Sequence, residues 1–393
     1  MKILYLAYSF PPVNIVAAQR ALFQARYMAE AGAEVTVICA EQTRKRDDPS
    51  LLEYLKNTPR LTVYRISPWG SSSQADGVSE GFKPSAKGWL WVFRTYLLVR
   101  KLFRQQSFDL VFTTFGPKYP HFAGRLIHER YKLPWVAEYR DPWHGSHHKG
   151  DRDSAWSIGF ERWLMQPVSL LVTVSIGFQK TLEQVHGLNR AYAVVYNGFD
   201  PEVYDSVVST ALARKGSDTL RLILAGTVYP FQQEGLFLLL QAIKGRSDVV
   251  FEYYGSSVSL VQKLVIDAGA ESACSVSGQV THAQIVERLL QADAAVLPIS
   301  SAFVGQLPVK FYDYLAARKP VLMLKGYGTE IAGLMQKTQS GSNAENVQEV
   351  VDWLDSVQSG RVSYSFQGID RFTRKSQAQE LLFHLEKVVR ERY

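Results

Sequence analysis

The chain has little cysteine, no long apolar run and no concentrated charge, and each absence removes a class of protein. Of 393 residues only Cys39 and Cys274 are cysteine. They are too few and too far apart for a zinc knuckle or a disulfide scaffold, and they suit a reducing compartment. No stretch approaches the ~18–20 apolar residues of a membrane-spanning helix. The opening Met-Lys-Ile-Leu-Tyr-Leu-Ala-Tyr-Ser-Phe, stopped by Pro11-Pro12, lacks the length and cleavage site of a secretory leader and reads as a buried first strand. Formal net charge is +7, from 44 Lys and Arg against 37 Asp and Glu. With no concentrated basic stripe, that excess does not suit a dedicated nucleic-acid binder. What is present is ordinary: 46% hydrophobic and 21% charged residues, enough to bury cores. At ~100–200 residues per domain the length predicts two domains or three.

The charge is uneven. Residues 1–200 carry 25 Lys and Arg against 17 Asp and Glu, and the remainder carries 19 against 20. Much of the excess lies in Lys83–Arg104, where Lys87, Arg94, Arg100, Lys101 and Arg104 alternate with Trp89, Trp91 and aliphatic residues. A basic helix bearing aromatics can lie on an anionic membrane surface. The competing reading is a surface helix with one face buried.

Hydrophobic periodicity gives a strand–helix–strand rhythm, the unit of a parallel sheet. Strands are expected at Ile3–Ser9, Glu34–Cys39, Asp109–Thr114, Trp135–Tyr139, Leu170–Ser175 and Ala193–Tyr196. Helices are expected at Gln19–Ala31, His121–Arg130 and Phe178–His186. A break follows at Asn197-Gly198-Phe199-Asp200, then a polar stretch, Ser209–Asp218, read as a linker. The rhythm restarts with strands at Leu220–Ala225, Val249–Tyr254, Ser275–Val276, Ala294–Leu297 and Pro320–Leu324. The helices between them are Gly235–Ile243, Leu260–Ala268, Ala283–Gln291 and Val309–Ala317, and Ser376–Val389 closes the chain. The fold class is therefore α/β, two doubly wound Rossmann-like domains facing each other across a cleft. The expected boundaries are 1–200, 201–375 and a C-terminal helix, 376–393, returning to the first domain. Ligands of such sheets bind beyond the carboxyl ends of the strands. That rule singles out the loops Ser9–Arg20, Phe115–His121, Arg140–Gly145, Gly226–Gln233, Gly255-Ser256, Gly278–His282 and Pro298–Leu307.

Several of these loops, in this order, are familiar. ILYLAYSFPP followed by GAEVTVIC, LPWVAEYRDPWH at 133–144, VTVSIGFQKTL at 172–182, VVYNGFD at 194–200 and LPVKFYDYLAARKPVLML at 307–324 resemble the bacterial retaining glycosyltransferases of family four, which have the two-domain GT-B fold. The resemblance runs along nearly the whole chain. It implies transfer of a sugar from a nucleotide diphosphate sugar to a glycan or lipid-linked acceptor in polysaccharide or glycoconjugate synthesis. It also implies that no metal or other cofactor is required. The location implied is cytoplasmic, with the inner face of the cytoplasmic membrane as an option. The chain departs from the family at defined positions. The family's paired acids fall on Gly305 and Asp313. The loop after Gly226-Thr227, Val228–Gln233, carries no cation where the family often has Arg and Lys. Val13-Asn14-Ile15-Val16 replaces a frequent glycine pair.

Candidate site residues follow from chemistry and resemblance together. A leaving diphosphate suits a helix N-terminus, with its free N–H groups and dipole. Gly305-Gln306-Leu307-Pro308 leads into such a helix, and Lys310 on its first turn can neutralise phosphate. Asp313 lies three residues on, and by resemblance it binds the ribose. Gly226, Thr227, Gly255 and Ser256 let the backbone approach the donor, and by resemblance Val280 lies nearest the nucleobase. His121, at a helix start where the dipole keeps imidazole neutral, resembles the family histidine near the transferred sugar. It is the catalytic candidate; a capping or core histidine is the alternative. Asn14, Arg20, Arg140 and Asp141 are acceptor or cleft candidates, with Arg20 and the Arg140-Asp141 pair open to a structural reading. The His144, His147, His148 cluster has no zinc-site spacing. A second function class remains open: a degenerate module of the same fold that binds a sugar nucleotide or glycan without turnover. A sugar-nucleotide epimerase fits the motif order less well.

Overall fold

The computed structural model describes residues 1–42, 47–56, 58–67, 85–145, 154–208, 219–300 and 305–391. The expected linker at 209–218, Lys83 and the histidines His147 and His148 lie outside them. The chain divides into two compact units, Met1–Asn197 with Arg374–Tyr393, and Gly198–Thr373.

Unit 1 runs β1 (Lys2–Leu6), α1 (Val16–Glu30), β2 (Glu34–Ala40), α2 (Glu53–Lys56), β3 (Leu61–Ile66), α3 (Ala86–Leu102), β4 (Leu110–Thr114), α4 (Tyr119–Tyr131), β5 (Trp135–Tyr139), α5 (Ala155–Met165), β6 (Leu170–Thr173), α6 (Ile176–His186) and β7 (Tyr192–Val194). Unit 2 runs α7 (Pro201–Val208), β8 (Leu220–Ala225), α8 (Gln233–Ile243), β9 (Val249–Tyr254), α9 (Val258–Ala268), β10 (Cys274–Ser277), α10 (His282–Gln291), β11 (Ala294–Pro298), α11 (Val309–Ala316), β12 (Val321–Leu324), α12 (Glu330–Thr338), β13 (Gly341–Ala344) and α13 (Val347–Gln358). The closing helix α14 (Arg374–Arg390) belongs to unit 1 and packs on α1.

Among the described residues each unit holds one parallel sheet. The order is β3-β2-β1-β4-β5-β6-β7 in unit 1 and β10-β9-β8-β11-β12-β13 in unit 2. Successive strand residues point to opposite faces, and helices cover both, so the strands are apolar throughout rather than alternating. Ile3 and Tyr5 join a core with Leu22 and Met28 of α1 and Leu381 of α14. Leu4 and Leu6 join the opposite core with Trp91 and Val99 of α3 and Ile127 of α4. In unit 2, Leu222, Leu224 and Phe251 pack with Leu239 of α8, Val265 of α9 and Leu354 of α13.

α3 has the one buried face that the surface-helix reading expects. Ser85 caps it by accepting from the Gly88 N–H, and its Trp91, Val92, Thr95, Val99 and Leu102 face is buried. Trp91 is therefore a core residue, whereas Trp89, Phe93 and Leu97 stay exposed.

One buried ion pair ties several elements of unit 1 together. Arg20 of α1 donates from Nε and Nη2 to Glu138 Oε1 of β5, at 3.0 and 2.8 Å. The same guanidinium donates to the Val195 and Tyr196 carbonyls and to Asn197 Oδ1. Glu138 also accepts from Gln24 and from Thr114 of β4. Burial pushes this carboxyl up, but Arg20 and these hydrogen bonds outweigh it and hold the group below its ordinary range. Its stabilising contribution is therefore present at neutral pH and is lost as pH falls into the acid range. Arg20→Met leaves the carboxylate buried without its counter-charge and should cost about 3–5 kcal/mol in urea unfolding. Adding Glu138→Leu should recover much of that loss. A single variant as stable as wild type would show that water solvates the pair.

Candidate functional site

In both sheets the first strand lies inside: β1 between β2 and β4, β8 between β9 and β11. Connections leave such a strand and its neighbour in opposite directions, which opens a crevice at their carboxyl ends. In unit 2 that crevice is bounded by the loops after β8 and β11, in unit 1 by those after β1 and β4.

The unit 2 crevice brings five of the candidate donor residues together. Lys310, on the first turn of α11, reaches over the turn after β8 and donates from Nζ to the Thr227 carbonyl at 3.1 Å. Thr227 Oγ1 and Ser256 Oγ lie 2.9 Å apart, which joins the β8 and β9 loops. A side chain at Gly255 would place its Cβ 2.1 Å from the Gly226 carbonyl oxygen, so the close approach of these turns requires glycine there. Tyr253 fixes the pair from below, donating to the Gly226 carbonyl at 2.9 Å and accepting from the Ser257 N–H at 2.9 Å. The Lys310 side chain is half-buried, and burial lowers its pKa to about 8. Its charge is thus under-compensated, the condition in which an approaching anion gains most.

The other donor candidates sit on the same carboxyl edge without joining that cluster. Asp313, one turn along α11 from Lys310, accepts a 2.8 Å hydrogen bond from the Tyr204 hydroxyl of α7. Val280 is exposed just before α10, whose start is fixed by reciprocal Thr281 and Gln284 bonds. Leu307 is buried and Gln306 half-buried. Gly305 has φ +84°, a left-handed turn that a larger side chain would strain. The loop that lacks cations is held by backbone-directed bonds instead: Ser257 Oγ donates to the Val228 carbonyl, and Gln232 Nε2 to the Pro298 carbonyl, both at 2.9 Å. Its Tyr229 and Phe231 rings stack at 5.3 Å.

In unit 1, His121 is the third residue of α4 and is fully buried. Its Nδ1 lies 2.8 Å from Thr113 Oγ1, which also accepts from Trp135 Nε1 at 2.9 Å. The next acceptor for the threonine proton, the Val136 carbonyl, is 3.5 Å away. We therefore assign that proton to His121 Nδ1, leaving Nε2 as an N–H donor; it is buried and has no hydrogen-bond partner among the described residues. Burial, rather than the helix dipole, is the largest cause of its neutrality and pushes the imidazole down to about 3. Burial pushes the Arg140 guanidinium down, and the neighbouring Asp141 carboxylate opposes that push. Arg140 donates from Nε and Nη2 to the Phe115 carbonyl, at 2.9 and 2.5 Å, and so pins the loop leading to His121; Asp141 is exposed. Asn14 accepts from Gln19 at 2.8 Å. Arg20, offered above as a cleft residue, spends its donors inside unit 1.

Sequence reasoning missed a second buried group. The Glu161 carboxylate of α5 meets His144 Nδ1 and, at 3.1 Å, His186 Nε2. Burial pushes it up, but the two imidazole bonds hold it below the ordinary range. Among the described residues no group of three or more His, Cys, Asp or Glu side chains is placed to hold a metal ion.

Residues 17–203 match the model of Glycosyltransferase Family 4. Among solved structures, a glycosyltransferase from Rickettsia africae aligns with a TM-score of 0.69 at 12% identity, over 99% of this chain and 98% of that one. Sucrose-phosphate synthase from Thermosynechococcus elongatus aligns at 0.63 and 12% identity, over 100% and 97%. HepE of Anabaena, in complex with UDP and glucose, aligns at 0.59 and 14% identity, over 100% and 98%. At these identities the likeness is one of fold. No protein of curated function matches the chain by sequence. The chain thus carries a family-four glycosyltransferase match over residues 17–203, on a two-sheet fold that it shares over its whole length with these structures.

Proposed function

We propose that the chain transfers a hexosyl group, with retention, from a nucleoside diphosphate sugar to the hydroxyl of a glycan or lipid-linked acceptor, in polysaccharide or glycoconjugate synthesis on the cytoplasmic side of the membrane. The observation that carries this reading is the Lys310 ammonium, held over the Gly226-Thr227 turn at the switch point of unit 2. HepE, a structural neighbour, is solved with UDP and glucose, which supports a donor of that class.

In the proposed step the bond between the sugar anomeric carbon and the diphosphate oxygen breaks. The electron pair departs on the diphosphate, where Lys310 and the first-turn N–H groups of α11 meet the new charge. The acceptor hydroxyl attacks the face the diphosphate leaves, and its proton passes to the departing phosphate oxygen. To His121 we assign contact with the transferred sugar, through a neutral Nε2–H donor. Val280, Asp313 and Gly305–Leu307 are assigned to the nucleoside and sugar, and Asn14 and Asp141 to the acceptor. No resident metal or cofactor enters this scheme. A second reading, a module that binds without turnover, is favoured by one observation: the left-handed turn at Gly305 stands where the family supplies a carboxylate.

Lys310→Met should weaken UDP binding by about 1.5–3 kcal/mol in calorimetry, the scale of a charged hydrogen bond. Bound diphosphate makes the amine more basic, so wild-type affinity should fall as pH rises past about 8, and the variant should lack that fall. Equal affinity in a folded variant would remove Lys310 from the site. His121→Ala should lower turnover at least ~10²-fold with little change in UDP affinity, as for a contact made in the transition state. Near-normal turnover would reduce His121 to a core residue, and no turnover by wild type with any donor and acceptor would favour the binding module.

A further inference from the structure

The face of unit 1 formed by α3, α4 and α5 carries large apolar side chains that the core does not use. On α3, Trp89, Phe93 and Leu97 recur at four-residue spacing along one outward stripe, and Phe93 is 58% exposed. On α5, Trp156 is 78% and Trp163 55% exposed, and Leu126 of α4 is exposed between the two helices. These side chains are not scattered singly. The Trp89 ring lies 4.6 Å from Phe122 of α4, Phe122 lies 6.0 Å from Phe160 of α5, and Phe160 lies 5.7 and 5.6 Å from Trp156 and Trp163. Phe122 is buried in the core and Phe160 is half-buried, so they anchor the exposed tryptophans of α3 and α5 from beneath and join them into one belt across three helices, an exposed apolar surface of the kind that marks an interaction site.

The charge around the belt selects its occupant. α3 bears Lys87, Arg94, Arg100 and Lys101 and no acidic residue. Lys87, Arg100, Lys101 and the following Arg104 are exposed. Tryptophan rings at a water boundary, flanked by cations, fit the interface of an anionic bilayer, where indole sits at headgroup level and the cations meet lipid phosphate. We propose that this belt docks unit 1 on an anionic bilayer.

The belt leads to the crevice of unit 1. Trp143, in the loop after β5, lies 6.4 Å from both Phe122 and Phe160, and Lys118 covers its other side at 4.6 Å. Tyr119, which opens α4 two residues before His121, lies 6.1 Å from Trp89. A bilayer held by the belt would therefore present its headgroups to the loops after β4 and β5. This selects the lipid-linked class among the acceptors of the proposed function and rests on that reading, whereas the docking itself does not.

The experiment is co-sedimentation of the full chain with phosphatidylglycerol or phosphatidylcholine vesicles, with no donor present, so that failure of docking and failure of transfer are read separately. Wild type should partition onto phosphatidylglycerol at low salt, weakly onto phosphatidylcholine, and less onto either as salt rises. At about fivefold per cation, the variant Lys87→Gln/Arg100→Gln/Lys101→Gln/Arg104→Gln should lose at least about 100-fold in partition. Trp156→Ser/Trp163→Ser should lose about 10-fold or more. All of these positions are exposed, so thermal melts should stay at the wild-type value. Brominated lipid should quench the fluorescence of wild type more than that of the tryptophan variant. Wild type remaining in the supernatant at low salt, or variants sedimenting equally, would overturn the proposal. So would a wild-type dimer in sedimentation velocity that the tryptophan substitutions dissolve, since the belt would then join two copies of the chain.

Discussion

A parallel sheet that grows in both directions from an interior strand cannot close its carboxyl edge beside that strand. The two neighbouring connections leave for opposite faces, and the backbone between them stays open. Both units obey this constraint, and the candidate residues collect where it acts. In unit 2 the β8 turn is left uncovered, Gly226 and Gly255 let it meet the β9 turn, and Lys310 reaches in from the helix after β11. In unit 1 the same opening is lined by the segment that carries His121 and is pinned by Arg140.

The two openings use burial differently. At Lys310 burial leaves a cation poorly compensated and ready for an anion. At His121 it removes the cation altogether and leaves a neutral donor. Behind them, Glu138 and Glu161 stay ionised inside the core because each collects donors from separate elements: Arg20, Gln24 and Thr114 for one, His144 and His186 for the other. These contacts tie α1 to β4, β5 and the segment after β7, and α5 to α6 and the loop after β5.

How much of this was legible in the sequence depended on whether the signal was local. Trp135–Tyr139 and Val249–Tyr254 were readable to the residue because they are short, apolar and bounded by turns. β3 (Leu-Thr-Val-Tyr-Arg-Ile) was missed at the sheet edge, where its residues are mostly half-buried or exposed. β13 (Gly-Ser-Asn-Ala) has no strand propensity and is extended through its pairing with β12. α5, α7, α12 and α13 were also unread. In the site, strand-end glycines and a lysine on a first turn were visible because their spacing carries the chemistry. The partners that position them were not. Tyr253 and Ser257 act across turns, Tyr204 meets Asp313 from 109 residues away, and Thr113 serves His121 from the adjoining strand. The dipole argument gave His121 the right neutral form for a secondary reason, since a sequence does not display burial.

The account turns on Lys310 as the group that receives the diphosphate, and its own titration tests this most directly. In protein labelled with 13C at the lysine Cε, with Lys310→Arg used to assign the signal, the free amine should titrate at about 8. With UDP bound, its pKa should move up by at least about one unit, because the anion favours the charged form. A Lys310 titration that UDP leaves unchanged, while UDP demonstrably binds, would contradict the account.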